Sequence, residues 1–280
     1  MPTADANRIN TNIQGLQTLQ ALKALNGQLG LTQLRLATGK RITEVADDPA
    51  GFTISKNFDV RARGLSVAFD NVGQAKNLLS IAEGGLQNIS NILVTMREKV
   101  TQAASDTLGT NERSAIETQL DDLAAEIDNI VTETTFNGVK LLDGTYTGKV
   151  FQTGAGPLDT FSFAITQNAG AASLTVADAD MVVTTAANAT ASLAKVNTAI
   201  DTVNTALQSI GSTVARLSVK ESTLSVAITN TEAARSRILD ADVAREQLEA
   251  TKLQILQQLA TAQLAQANAA PSGVLALFQQ

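Results

Sequence analysis

The chain has 280 residues, a formal net charge of −6 and 44% hydrophobic residues, which is enough for one or two domains with real cores. It has no cysteine and no histidine, which removes disulfides, thiol nucleophiles, Cys-ligated metals, the commonest general base and the commonest zinc ligand. The acidic balance, without a Lys/Arg-rich run and with one Tyr and no Trp, argues against a nucleic-acid interface.

The first residues, MPTADANRIN, show no basic segment followed by an apolar one, so no Sec-type signal peptide is expected. Ile9, Ile13, Leu16, Leu19, Leu22, Leu25 and Leu29 then recur at spacings of three and four, which predicts a helix over Ile9 to Leu34. That stretch carries one charge, Lys23, while Gly15, Gly27 and Gly30 weaken it as an isolated helix. Gly39 to Asp48 is charged and irregular. Asp48-Pro49 reads as a helix start, with Asp as N-cap and Pro at the first helical position. Helix is expected from there to about Ser105, with Ile81, Leu86, Ile89, Leu93 and Met96 on or near one face. A further helix is expected to be capped by Asn111 and to run to about Thr132, with Ile116, Leu120, Leu123, Ile127 and Ile130 as its stripe.

The pattern changes at Phe136. Asn137-Gly138 and Asp143-Gly144 are turn dipeptides, and Val150-Phe151 and Phe161 to Ile165 read as the strands of a β-hairpin. Gln167 to Ala191 lacks a clear helical period and is expected to be a surface loop or small variable module. Helix returns at about Ser192, with Val196, Ile200, Val203, Leu207, Ile210, Val214, Leu217, Leu224 and Ile228 at three-four spacing. Near the end, Leu253, Leu256, Ala260, Leu264 and Ala267 form one stripe, and Leu248, Ile255, Leu259 and Ala262 another. Apolar residues on two faces imply burial on two sides. Pro271 is expected to stop this helix, leaving Val274 to Phe278 as a short cap.

From Leu253 to Gln280 there is no charged residue. Gln254, Gln257, Gln258, Gln263, Gln266 and Asn268 interrupt the apolar run, so membrane insertion is not expected. Uncharged Leu/Ala/Gln-rich ends suit a protein interface, where no charge needs desolvating. The fold class expected is mainly α: a long antiparallel helical bundle or coiled coil of paired N- and C-terminal segments, with a small β-hairpin region in the middle. Antiparallel pairing would place both termini at one pole and the hairpin at the other.

Several residue groups invite sharper readings. Asp47 and Asp48 read as a helix cap rather than a catalytic or Ca²⁺-binding pair. Asp240 and Asp242, near Arg235, Arg237 and Arg245, read as local ion pairs rather than a metal site. Gly154 and Gly156 lack the spacing of a nucleotide loop, and the sequon-like Asn88-Ile89-Ser90 lies on a predicted helix face.

Several segments resemble bacterial flagellins: RLATGKRITEVADDPAGFTIS (Arg35 to Ser55), AEGGLQNISNIL (Ala82 to Leu93), EIDNIVTETTFNGVKLLDG (Glu126 to Gly144), RSRILDADVAREQLEATKLQILQQLATAQLAQAN (Arg235 to Asn268) and VLALF (Val274 to Phe278). The resemblance implies a structural subunit of the flagellar filament serving swimming motility, with no catalytic residue, metal or cofactor. It implies an inner core from 1–40 and 236–280, outer-core helices over 41–140, a hairpin and short variable segment over 141–191, and a return helix over 192–235. It also implies terminal helices that fold on polymerisation and export unfolded through the flagellum's own channel. The implied partners are copies of the chain in a helical homopolymer, the export apparatus, an export chaperone at the C-terminal helix, and junction and cap proteins. The expected assembly interface is Ile13, Leu16, Leu22, Leu25, Leu29, Leu253, Leu256, Leu259, Leu264, Val274, Leu275, Leu277 and Phe278. Ser and Thr between Thr166 and Ser192 are candidate O-glycan positions.

Flagellins recognised by the vertebrate innate receptor carry a basic, then aliphatic, pattern where this chain reads LVTMREKVTQ (Leu93 to Gln102). Arg97, Glu98 and Gln102 match it. Thr95 stands where Arg is usual, Lys99 where Leu is usual and Gln119 where Glu is usual, so weak recognition is expected. The rival readings are a hook–filament junction protein and a finite coiled-coil adaptor. An enzyme ranks third, because a chain without His cannot build the zinc-protease motif some flagellins carry.

Overall fold

The structure, a computed structural model, describes the backbone of residues 11–277 and the side chains of residues 11–269. Its order is α1 (Ile13–Thr38), α2 (Pro49–Ala103), α3 (Thr110–Glu133), four short strands, a 3-10 turn at Asp178–Asp180, α4 (Ala186–Leu239) and α5 (Val243–Leu277). The strands are β1 (Thr135–Phe136), β2 (Val139–Lys140), β3 (Tyr146–Gln152) and β4 (Thr160–Ile165). They form two antiparallel pairs, β1–β2 and β3–β4. The chain divides into two compact units. One comprises the first sixty residues and those from Asn230 on, and the other runs from Arg61 to Thr229. The mainly α reading holds.

In the second unit, Ala62, Leu78 and Gly85 of α2 are buried beside a seam formed by Leu65, Ala68, Val72, Ala75, Leu79, Ala82, Leu86, Ile89, Leu93, Met96, Val100 and Ala103. The seam residues alternate by three and four without a slip, a sustained heptad pattern. Helix α4 repeats the rhythm through Ala189, Ser192, Val196, Ala199, Val203, Ile210, Leu217 and Leu224. This refines the predicted stripes. Ile81 is exposed, and Ile200, Leu207, Val214 and Ile228 flank the α4 seam half-buried. A period of 3.5 selects small residues such as Ala199 over larger apolar neighbours one position on. Helix α3 adds Ile116, Leu120, Ala124, Ile127 and Val131, with Leu123 and Ile130 at the margin. Its N-cap is Gly109, without a side-chain cap bond, so Asn111 does not cap it. Arg113 steadies that end instead, donating from Nε to Ala103 O at 3.0 Å and from Nη2 to Ser105 O at 2.9 Å.

The turn dipeptides do what their chemistry predicts. Asn137 and Gly138 both take positive φ, at 51° and 76°, in the two-residue β1–β2 hairpin. The β3–β4 hairpin pairs Phe151 with Phe161 and Lys149 with Phe163, with an irregularity between Tyr146 and Lys149 where Gly148 has φ 65°. Its aromatic rings pack against one another. Phe151 stacks on Phe163 at 5.1 Å, and the Arg216 guanidinium lies 4.7 Å from the Phe161 ring.

The segment after β4 departs from expectation. Ala169, Ala171, Leu174, Val176, Met181 and Val183 are buried in the core of this unit. It is therefore a folded strap, with apolar residues spaced irregularly because tight turns, not a helix, present them. Helix α4 also starts six residues before Ser192, capped by Thr185 Oγ1, which accepts from Asn188 N at 3.1 Å. Ser192 itself is buried and donates to Val182 O at 2.9 Å, so it is unavailable to a glycan. Helix α5 continues through Pro271 to Leu277, so Pro271 is not a stop.

Candidate assembly interface

The first unit is built on the pairing of α1 with α5. Asn12 caps α1, accepting from Gly15 N at 2.8 Å, and its Nδ2 donates to Ala267 O at 2.8 Å. Further along, Gln257 Nε2 donates to Asn26 Oδ1 at 2.7 Å. Near the other end, Arg35 lies 3.9 Å from Glu246. Rising numbers on α1 therefore meet falling numbers on α5, an antiparallel pair. Leu29, Ala250 and Leu253 are buried at its centre, with Leu25 and Leu36 packed against them. Ala260 and Ala267 continue the seam. Small residues and Gly15 allow close approach: a Cβ on Gly15 would sit 3.1 Å from Asn268 Oδ1.

The irregular stretch Gly39 to Asp48 locks this unit to the end of α4. Gly39 takes φ 66° to end α1, and Lys40 bridges Asp240. Arg41 donates its backbone N–H to Leu239 O at 2.7 Å and its Nη2 to Ile238 O at 2.8 Å. Ile42 is buried. Asp48 caps α2, accepting from Gly51 N at 2.9 Å. Asp242 caps α5, accepting from Ala244 N at 3.1 Å and Arg245 N at 3.2 Å. The predicted local pairing of Asp240 and Asp242 with nearby arginines is thus replaced by backbone roles. Arg235 instead meets Asp59 at 2.6 Å and Glu232 at 2.9 Å. Among the described residues no acidic group is arranged to hold a metal ion.

Asp47 is the electrostatic centre of that stretch. Its carboxylate accepts from Thr43 N and Thr43 Oγ1, both at 2.9 Å, and from Glu44 N at 3.2 Å. The Thr43 backbone bond and then its hydroxyl hold the Asp47 pKa below the ordinary 3.8, with Arg35 assisting and burial opposing. A lowered carboxyl contributes stability above its unfolded value and loses it as pH falls through the folded one. Asp47→Asn is therefore expected to weaken this unit at neutral pH and to reduce its loss of stability below the ordinary carboxyl range. Thermal unfolding against pH, with and without the substitution, measures both effects.

The structure treats the predicted interface residues unequally. Leu29 and Leu253 are spent inside the pair, and Leu22, Leu25 and Leu264 are half-buried. Ile13 and Leu256 stay exposed, while Leu16, Leu248, Ile255 and Leu259 are 56%, 73%, 53% and 55% exposed. Pairing thus uses one of the two stripes of α5 and leaves the other, Leu248, Ile255 and Leu259, open. The side chains of Val274, Leu275 and Leu277, and Phe278 altogether, lie outside the described residues. No described helix is long and apolar enough to cross a membrane. The contribution of Arg41 is absent from the predicted interface because its partners, the Ile238 and Leu239 carbonyls, are backbone groups nearly two hundred residues away.

Residues 9–147 match the family model for the bacterial flagellin N-terminal helical region, and residues 193–278 that for the bacterial flagellin C-terminal helical region. The chain belongs to the bacterial flagellin family. It is similar to the flagellin of Bacillus subtilis, with 35% identity over 97% of this chain and 100% of that one. It is also similar to the flagellin of Listeria monocytogenes, with 30% identity over 94% of this chain and 96% of that one. In fold alone it resembles the solved structure of a putative flagellar hook-associated protein from Vibrio parahaemolyticus. That match has a TM-score of 0.60 and 18% identity over 69% of this chain and 100% of that one. This flagellin is a structural subunit of the extracellular flagellar filament and not an enzyme. The junction-protein reading has only the shared fold behind it, whereas the filament reading has sequence identity along nearly the whole chain.

Proposed function

We propose that the α1–α5 pair is the polymerising element, and that the open stripe Leu248, Ile255 and Leu259, with Ile13, Leu16 and Leu256, is covered by neighbouring copies. The supporting observation is the half-used apolar surface of α5: one stripe faces α1 and the other faces solvent. Burial of such a stripe contributes about 25 cal/mol per Å², offset by the entropy of ordering the helices. A head-to-tail contact that does not close on itself extends into a helix. The pair and its flanks, 1–40 and 236–280, form the inner core, and 41–140 with 192–235 the outer core. The α1 glycines and the lack of charge in α5 beyond Lys252 favour helices that firm up only on assembly. Such a chain leaves unfolded through the flagellar export channel, with a chaperone on its C-terminal helix, and meets junction and cap proteins in the finished flagellum.

Purified monomer, seeded with short filament fragments and viewed by negative-stain electron microscopy, tests this reading. Long tubes are expected, together with protease sensitivity in 13–38 and 243–277 that disappears on assembly. Finite particles would move the assignment to a junction or adaptor protein.

Receptor recognition is a separate expectation. Thr95, Arg97, Glu98, Gln102 and Gln119 are exposed and Lys99 is half-buried, on α2 and α3. Thr95 and Gln119 remove one positive and one negative charge from the family pattern. A receptor-binding assay is expected to show weak potency, rising when Thr95→Arg and Gln119→Glu are combined. Full potency in the unmodified chain would overturn it.

A further inference from the structure

Asn-Gly occurs twice in the chain, at Asn26-Gly27 and at Asn137-Gly138. The second is explained by its turn, where both residues take positive φ. The first lies in the interior of α1, where Gly is the poorest residue after Pro and Asn is among the weaker ones. Neither Asn26 nor Gly27 is packed into the seam: both positions are exposed, and a Cβ on Gly27 would meet nothing within 4 Å. No close approach calls for this glycine. The pair of weak helix formers nonetheless sits between Leu25 and Leu29, which pack at the centre of the α1–α5 pair.

Asn-Gly is also a step with a reaction of its own. The glycine backbone nitrogen attacks the Asn side-chain amide carbon, because no Cβ on the glycine blocks the approach. An N–Cγ bond forms to give a cyclic imide, the Cγ–Nδ2 bond breaks, and ammonia leaves with the glycine amide proton. Water then opens the ring. Attack at one carbonyl gives Asp. Attack at the other gives isoaspartate, whose main chain runs through Cγ and is longer by one carbon.

The structure closes this route at Asn26 in two ways. Inside α1 the Gly27 N–H is directed along the helix axis at the carbonyl four residues back, away from its neighbour's side chain. Across the pair, Gln257 Nε2 donates to Asn26 Oδ1 at 2.7 Å and holds the amide. Both restraints last only while α1 is helical and paired with α5. Unpaired, α1 has little intrinsic helicity, with Gly15, Gly27 and Gly30 in its interior.

Taking the α1–α5 pair as the polymerising element, we propose that Asn26-Gly27 is a self-modification site gated by terminal pairing: silent in the paired and assembled chain, reactive in a chain left unpaired. The isoaspartyl product inserts its extra carbon between Leu25 and Leu29. The two leucines then no longer fall on one face, and the hydrogen-bond ladder of α1 breaks at the centre of the pair. The Asp product is milder, since Gln257 Nε2 donates as well to a carboxylate and Lys23 lies one turn away on α1. Chains that assemble promptly are protected, and chains that wait are excluded from growth.

Fresh monomer, seeded filaments and monomer in denaturant, incubated side by side in mildly alkaline buffer, test this. Mass spectrometry of the tryptic peptide from Ala24 to Arg35 reads amide-to-acid conversion, and isoaspartyl methyltransferase labelling reads the isoaspartate. In denaturant Asn26 and Asn137 should convert alike, since only the local sequence acts there. Conversion at Asn26 should be several-fold slower in filaments than in monomer. When aged monomer is seeded, isoaspartate at position 26 should be enriched several-fold in the unpolymerised fraction over the pellet. Asn26→Gln closes the imide far more slowly and keeps an amide for Gln257, so it should retain its seeding competence after the same incubation. Equal conversion at Asn26 in monomer and filament, or equal loss of competence in wild type and Asn26→Gln, would overturn the gated site and leave the filament reading intact. Fresh monomer that gives no tubes would overturn both.

Discussion

A flagellin ending at Ala250 is expected to form no filaments at any concentration at which the full chain forms long tubes. The truncation removes Leu253 from the centre of the terminal pair, together with Ala260 and Ala267 from its seam. It also removes the Ala267 carbonyl that Asn12 holds and the Gln257 partner of Asn26. Helix α1 then faces water with Gly15, Gly27 and Gly30 in its interior, each costing about 1 kcal/mol relative to Ala, and without packing it has little reason to stay helical. The open stripe loses Ile255 and Leu259 as well, so both faces of the pair are affected at once. Leu253→Ala is the milder version, expected to cost about 2–5 kcal/mol and to raise the critical concentration without abolishing growth. Seeded polymerisation measures both. The unfolding transition of the second unit serves as a control, because its core around Leu86, Leu93 and Ile127 contains no residue beyond Ala250. Tubes from the truncated chain would show that the uncharged end does not drive assembly.

Helix existence was legible because long heptad patterns leave little choice. The spacing of Leu86, Ile89, Leu93 and Met96 marks the buried face of α2 almost to the residue. The hairpin was legible for a different reason: Asn137-Gly138 supplies the two positive φ values that a two-residue turn requires. The strap was not legible, since Leu174, Val176, Met181 and Val183 reach the core from turns, and turns leave no period to read. Thr175, at φ 58°, is a conformation that a threonine seldom signals in advance. The continuation of α5 through Pro271 went against the strongest local breaker available. At the candidate interface, the two stripes of α5 were visible in sequence. Which of them α1 covers depends on the antiparallel register, set by Asn12, Asn26 and Arg35 across more than two hundred residues.

Gly84 and Gly85 offer a sharper test of the second unit, because adjacent glycines should respond with opposite sign. A Cβ at Gly84 would meet nothing within 4 Å, so Gly84→Ala adds helix propensity alone and should stabilise α2 by up to about 1 kcal/mol. A Cβ at Gly85 would lie 2.7 Å from Thr134 Oγ1 and 2.8 Å from Leu142 Cδ1. Neither neighbour can easily give way. Thr134 is β-branched, and its hydroxyl donates to Ile130 O at 2.6 Å. Leu142 is fully buried, and its carbonyl accepts from Ala169 at the root of the strap. Overpacking of this kind costs about 1–3 kcal/mol, more than the propensity gain returns, so Gly85→Ala should destabilise on balance. Denaturant unfolding of the two single variants separates the effects, and strap amides around Ala169 should lose protection in Gly85→Ala only. Equal stability of the two variants would mean that the turn carrying Thr134 and Leu142 shifts freely against α2. In that case the close approach at Gly85 would contribute little to holding the strap, and its seating would rest on Asp128, which accepts from Ala171 N, and on Lys195, which donates to Asp180 O.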